Sequence, residues 1–242
     1  MRHRSCTALS LLLLAAAPLS AQMAGMKAHD PDKKVDGGAL PAGWTGRADG
    51  NAKLTDAKFV AMGAGYHVTS GPAAIYWKPA SRVTGPFTAT ATLSQTKAPS
   101  HPEAYGIFFM GNKLDTPEQS YAYLIVRGDG KFMVKHRAGS ELHTIMNWTE
   151  SAAVNKADAS GKATNTVSVD ASRPDSVRLR VNGTQVAAIP GPHIGNTDGY
   201  VGLRVNHNLD VHVSDFTVTP KASASIGTPA PKVATTQKKK GA

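Results

Sequence analysis

The stretch "YAYLIVRGDGKFMVKHR" occupies residues 121–137. Two β-prone runs flank a glycine-bounded aspartate, and the length of the turn between them decides which side chains share a face. Cross-strand partners point to the same side of a sheet. With a three-residue loop, Gly128-Asp129-Gly130, Val126 faces Phe132 and Leu124 faces Val134. The opposite face then collects Tyr123 with Lys135, Arg127 with Lys131 and Tyr121 with Arg137. A two-residue loop would scatter Leu124 and Val126 among lysines. Burial of one face therefore selects the longer turn, a type I turn closed by a left-handed glycine at Gly130. Asp129 is an ordinary residue for such a turn. The tripeptide Arg127-Gly128-Asp129 matches a cell-adhesion signal, but the turn accounts for it without a receptor.

The same test applies twice more. Asn182-Gly183 is a two-residue hairpin dipeptide; it pairs Val181 with Thr184 and Leu179 with Val186, leaving Arg178 and Arg180 pointing away from the core. A three-residue loop at Asn206-His207-Asn208 is expected to pair Val205 with Leu209, Leu203 with Val211 and Val201 with Val213. That register sets Arg204 opposite Asp210 as a cross-strand charge pair.

Outward from these hairpins, short β-prone runs recur from Trp44 to Thr219. Phe87–Leu93 and Val177–Val181 alternate with period two; Tyr105–Met110, Thr184–Ile189, Tyr200–Val205 and Leu209–Val213 are further candidates. With almost no helical periodicity, the pattern specifies an all-β, two-sheet antiparallel sandwich. Residues 151–164, rich in Ala, Lys, Asp and Ser, are expected to form a loop.

The chain has 242 residues, enough for one sizeable β domain. Arg2, His3 and Arg4 followed by the apolar run Leu9–Pro18 and Leu19-Ser20-Ala21 have the form of a signal peptide over 1–21. The expected organisation is that peptide, a polar leader over 22–43, a sandwich over 44–219 and a disordered basic tail over 220–242. The apolar run is too short to span a bilayer comfortably, so no transmembrane segment is expected in the mature chain and the protein is expected to be secreted or periplasmic. The single cysteine, Cys6, lies inside the signal peptide, so disulfides and thiolate metal sites are excluded from the mature chain. The formal charge of +10 is concentrated at the ends: residues 22–220 hold 20 basic and 17 acidic residues. That balance does not indicate a nucleic-acid binder. The Lys-rich tail is suited to electrostatic contact with an anionic envelope polymer.

The succession "YGIFFMG" (105–111), "YAYLIVRGDGKFMVKHR" (121–137), "VRLRVNGTQVAAI" (177–189) and "GYVGLRVNHNLDVHVSDFTV" (199–218) resembles concanavalin A-like sandwich domains of exported bacterial proteins. These include laminin-G-like and 3-keto-disaccharide hydrolase-type modules. The resemblance implies a jelly roll with one concave sheet, on which relatives often hold ligand. It does not fix a function, since such modules bind sugars, bind proteins or cap enzymes.

The glucanases of this fold carry an E-x-D-x-x-E strand whose carboxylates act as nucleophile and acid. No such spacing exists here. No G-x-S-x-G nucleophile elbow is present either. Carbohydrate binding needs aromatic faces and planar polar groups, and the candidate ligand-binding residues are Tyr121, Tyr123, Arg127, Lys135, Arg137 and Trp77, with Trp148 a further aromatic. The leading expectation is an exported, non-catalytic module binding carbohydrate or an envelope polymer, with no cofactor and no catalytic residues. The alternatives are a glycoside-acting hydrolase whose acids would be Glu103 and Asp115, His101 being near Glu103, and a structural cell-surface protein. His207, Asp210 and His212 are close in sequence but make no expected metal site; Asn112 and Asp115 offer a thin calcium donor set. The sequons at Asn147 and Asn182 are read as chance.

Overall fold

The computed structural model describes residues 31–221. The expected signal peptide and the tail from residue 222 onward lie outside the described residues. Fourteen strands follow one another: Thr45–Ala48 (β1), Ala57–Met62 (β2), Gly65–Ser70 (β3), Ala74–Val83 (β4), Phe87–Gln95 (β5), Ala104–Asn112 (β6), Ser120–Arg127 (β7), Lys131–Ala138 (β8), Glu141–Glu150 (β9), Ala163–Arg173 (β10), Ser176–Val181 (β11), Thr184–Pro190 (β12), Gly199–Val205 (β13) and Asp210–Pro220 (β14). They form two seven-stranded antiparallel sheets. Sheet A runs β1-β4-β13-β6-β7-β8-β9 and sheet B runs β12-β11-β10-β5-β14-β3-β2.

The decisive register is the expected one. Val126 pairs with Phe132, Leu124 with Val134, Tyr123 with Lys135 and Tyr121 with Arg137. Gly130 has φ +86°, and its N–H closes the turn onto the Arg127 carbonyl at 3.0 Å. The alternation places Ile107, Leu124, Val134 and Leu203 of sheet A against Ala91, Leu93, Val167 and Leu179 of sheet B in one core.

Two expected registers differ. At Asn182-Gly183 the turn pairs Val181 with Thr184, but a bulge beyond it sets Leu179 opposite Ala187 rather than Val186. The Asn206–Asn208 connection is not a hairpin. β13 belongs to sheet A and β14 to sheet B, so the expected Val205–Leu209, Leu203–Val211 and Val201–Val213 pairs do not form, and Arg204 does not face Asp210. Valines 201, 205, 211 and 213 are buried all the same, because they enter one core from opposite sheets.

Strands β1 to β4, β9 and β10 extend the pattern beyond the runs legible in the sequence. β4 contains Pro79, which cannot donate to a ladder. It sits in a stretch where β13 pairing is interrupted, between the partners of Tyr200 and Gly202. The expected loop over 151–164 holds to Lys162, and β10 begins at Ala163. The described part of the leader lies along the domain: the Lys33 N–H donates to Asn208 Oδ1 at 2.7 Å, and the Gly37 N–H to the Thr55 carbonyl at 2.9 Å. Among the described residues no helix is long and apolar enough to cross a membrane.

Strand phase makes a direct prediction. Leu124→Ala should cost about 2–5 kcal/mol in urea unfolding, as a large-to-small change in a closed core. Lys135→Ala, on the other face, should stay within about 0.5 kcal/mol of wild type.

Candidate functional site

Sheet A is packed on both faces. Its outer face carries a second apolar cluster that includes Ile75, Trp77, Phe108, Tyr121, Tyr123, Ile125 and Met133, with Trp148 and Tyr200 against its edges. The aromatic rings follow one another across the strands. Tyr200 lies 6.3 Å from Trp77, Trp77 6.5 Å from Phe108, Phe108 5.4 Å from Tyr121 and Tyr121 5.7 Å from Tyr123. Gly202, between Trp77 and Phe108 in the register, leaves room for this row: a Cβ there would stand 2.4 Å from a Phe108 ring carbon and 2.2 Å from the Tyr76 carbonyl oxygen.

One ion-pair network is set into the aromatic face. Arg204 Nη1 and Nη2 each donate to Asp49 at 2.8 Å, and Arg137 Nη2 donates to Asp49 Oδ2 at 3.1 Å. Arg204 also lies 5.6 Å from the Tyr123 ring centroid, and Arg137 Nε donates to the Tyr121 hydroxyl at 3.1 Å. Burial pushes the Asp49 carboxyl up, but the charge and hydrogen bonds of Arg204, then Arg137 and Arg47, outweigh it and hold the group below its usual range. Burial likewise disfavours the Arg204 cation, and Asp49 more than reverses that, keeping it charged. Burial raises the Tyr123 hydroxyl, with Arg204 opposing. Arg47 anchors the face to the β6–β7 connection by donating to the Leu114 and Thr116 carbonyls.

The structure brings Trp77, Tyr121, Tyr123, Arg127, Lys135 and Arg137 onto this one face. Trp77, Tyr121, Tyr123 and Arg137 are packed within it, with 8 % exposure or less, whereas Arg127, Lys135, Trp148 and Tyr200 are half-buried at its surface. Arg127 stacks 4.2 Å from the Trp148 ring centroid. It also grips Asp129 through Nε at 2.9 Å and Nη2 at 2.6 Å. The two charged ends of the Arg-Gly-Asp tripeptide thus neutralise each other, and the Arg127 hydrogen bonds hold the Asp129 carboxyl low.

Glu103 and Asp115 are not brought together. They flank opposite ends of the nine-residue strand β6, which at about 3.3 Å per residue separates them by about 30 Å. Paired glycosidase carboxylates stand within about 10 Å. The strands β4, β6, β7, β8 and β13 contain no Asp or Glu, so the central strands of this face offer no acid pair. Asn112 Nδ2 donates to the Met110 and Asp198 carbonyls. Nor do His207, Asp210 and His212 converge. The change of sheet carries His207 to the rim, where its Nε2 meets Glu103 Oε1 at 2.8 Å. Asp210 stays on the outer face of sheet B with His67 at 2.8 Å and Lys97 at 2.6 Å. Sequence reasoning did not find Asp49, Phe108 or Tyr200 as members of the outer face, and it gave Arg204 the wrong partner. The outward phase of Arg204 between Leu203 and Val205 was the available signal.

Among solved structures, a glycoside hydrolase family 16 endo-glucanase from Bacteroides ovatus in complex with G4G3G-2F-DNP superposes with TM-score 0.51 at 8 % identity, over 72 % of this chain and 94 % of that one. A second Bacteroides ovatus family 16 structure, from a mixed-linkage glucan locus and in complex with a G4G4G3G product, gives 0.50 at 8 % identity with the same coverages. Sheep galectin-11 in complex with glycerol gives 0.42 at 11 % identity, over 57 % of this chain and 93 % of that one. The fold is a concanavalin A-like jelly roll. No family model and no curated protein matches the chain.

Within this concanavalin A-like sandwich, Arg204→Ala should cost about 2–3 kcal/mol in chemical denaturation, because it removes a packed guanidinium and its charge-assisted hydrogen bonds to Asp49, which keeps Arg137. A second prediction concerns Asp210. Burial pushes its carboxyl up, but hydrogen bonds from Lys97 and Thr96 and the charges of His67 and Lys97 bring it down to about 2. The folded pKa lies below the unfolded one, so the stabilisation is complete above about pH 4 and is lost as pH falls toward 2. With screening of the exposed Lys97 allowed for, it amounts to about 1–2 kcal/mol. Asp210→Asn should therefore lower the melting temperature at pH 7, and the gap from wild type should close in melts approaching pH 2.

Proposed function

We propose that this protein is an exported, non-catalytic module that binds carbohydrate across the outer face of sheet A. The observation that carries the reading is the half-buried set Arg127, Lys135, Trp148 and Tyr200, presented at the surface of a packed aromatic floor with the Arg204–Asp49–Arg137 network beneath it. Aromatic faces pack against the C–H faces of sugar rings, and fixed guanidinium and carboxylate groups hydrogen-bond hydroxyls. Export is supported by the basic start and apolar run of residues 1–21. The fold supports the class of ligand: structures sharing it include glucanases described with glucan oligosaccharides.

The packed aromatics form the floor, and the half-buried Arg127, Lys135, Trp148 and Tyr200 make the contacts. Arg137 and Arg204 share one carboxylate, and Lys135 adds a further positive charge on the same face. That balance favours an acidic saccharide over a neutral one. The absence of carboxylates from the central strands of sheet A speaks for binding rather than two-carboxylate hydrolysis on this face.

A microarray of neutral glucans and uronate-containing oligosaccharides tests the reading, followed by calorimetry on the best ligand. The full chain should retain a uronate oligosaccharide, with Trp148→Ala and Arg127→Ala each weakening it by about tenfold or more while the variants remain folded. Tyr123→Ala should lower affinity and stability together, because that ring is packed. Failure to retain any saccharide, or full affinity in a Trp148→Ala/Arg127→Ala/Lys135→Ala triple variant, would overturn it.

A further inference from the structure

At one end of the sandwich two sheet-to-sheet crossovers meet. The first leaves β5 of sheet B for β6 of sheet A and carries His101, Pro102 and Glu103. The second leaves β13 of sheet A for β14 of sheet B and carries Asn206, His207 and Asn208. The Asn206 N–H donates to the Ala104 carbonyl at 2.9 Å and ties the two together. His101 and Glu103 stand two apart in the irregular segment before β6, and their side chains meet there directly. His101 Nε2 and His207 Nε2 each lie 2.8 Å from Glu103 Oε1, and one donor atom from each residue falls within 4.8 Å of the other two. The rings of the two histidines meet edge to face at 5.1 Å.

We propose that His101, Glu103 and His207 bind a divalent transition-metal ion of the zinc class. The donor set is two imidazoles and one carboxylate, a set that zinc accepts. Bonds of about 2.0–2.1 Å in tetrahedral geometry place donor atoms about 3.3–3.4 Å apart, so Glu103 Oε1 needs to withdraw only about half an ångström from each imidazole.

The surroundings of the three donors supply a second, independent observation. His207 turns its other nitrogen, Nδ1, to Asp32 Oδ1 at 3.0 Å. A neutral imidazole has a single ring proton, so donating to Asp32 and Glu103 at once takes the imidazolium. A metal ion between Nε2 and Glu103 replaces that second proton: Nδ1–H still donates to Asp32 and the Nε2 lone pair faces the metal. A carboxylate on the far nitrogen of a ligating histidine is the usual support for such a ligand. Glu103 is supported likewise, since Asn206 Nδ2 donates to its other oxygen, Oε2, at 3.0 Å, and Arg204 Nε donates to Asn206 Oδ1 at 3.2 Å. Glu103 and His207 are mostly buried, with side-chain exposures of 13 % and 18 %, while His101 reaches solvent at 40 %. His101 also lines a cleft of about 290 Å³ with Ser100, Pro102, Gly128, Asp129 and Ala157, which gives an ion a route in and an external oxygen donor a place to approach.

The proposal stands apart from the saccharide reading and is tested on the chelator-stripped full chain by calorimetric titration with zinc chloride, and by visible absorption with cobalt chloride. Wild type should bind one equivalent with at least micromolar affinity and melt at higher temperature when loaded. Glu103→Gln and His101→Gln should each weaken binding by a hundredfold or more, the exposed His101 ensuring one variant that folds normally. Asp32→Asn should weaken it by about 10–100-fold. A His136→Gln/His143→Gln control, at a histidine pair facing across β8 and β9, should leave it unchanged. No saturable binding by wild type, or wild-type affinity in both Glu103→Gln and His101→Gln, would overturn the site.

Discussion

The contact on which the outer half of the molecule depends is the pairing of Arg204 with Asp49. Arg204 arises from β13, near the middle of sheet A, and points away from the sandwich core into a layer of aromatic rings. A guanidinium in that position needs an anion, and none of the neighbouring central strands carries one. The carboxylate comes from the segment after β1, whose Asp49 N–H is itself held by the Ala73 carbonyl at 2.8 Å. Breaking such a pair from one side is far more damaging than replacing both partners with apolar groups. The network therefore fixes where this segment lies across the sheet more than it adds net stability.

From that pair two lines of polar contact lead outward. One runs through Arg137 to Tyr121 and joins β8 and β7 to the network. The other runs from Arg204 through Asn206 to Glu103 and the rim histidines. The aromatic face and the rim cluster thus share one support. Side chains held at both ends by packing and hydrogen bonds lose little freedom when a ligand arrives, which is the usual condition for a preformed site.

The Arg-Gly-Asp turn illustrates how the fold disposes of an apparent signal. Gly130 is there for its left-handed backbone, Asp129 for the turn, and Arg127 for its stack on Trp148 and its clasp on Asp129. Each residue is occupied by contacts within the hairpin or with the adjoining strand β9. What remains of Arg127 at the surface belongs to the same face as Lys135 and Trp148.

Alternation by itself determined the sandwich class, the turn at Gly128–Gly130, and the split of β7 and β8 into a core face of Leu124, Val126, Phe132 and Val134 and an outer face of Tyr121, Tyr123, Lys135 and Arg137. Those follow from a period of two and from local turn chemistry, both written in consecutive residues. The sheet to which a strand belongs is not written there. A valine entering the core from sheet A and one entering from sheet B give the same pattern, so Val201–Val205 and Val211–Val213 resembled a hairpin although they lie in facing sheets. Only the tertiary structure decided that crossover. With it came the partner of Arg204, the separation of His207 from Asp210 and His212, and the meeting of His207 with His101 and Glu103. These follow from the order in which strands pair, which is set by contacts between segments distant in sequence.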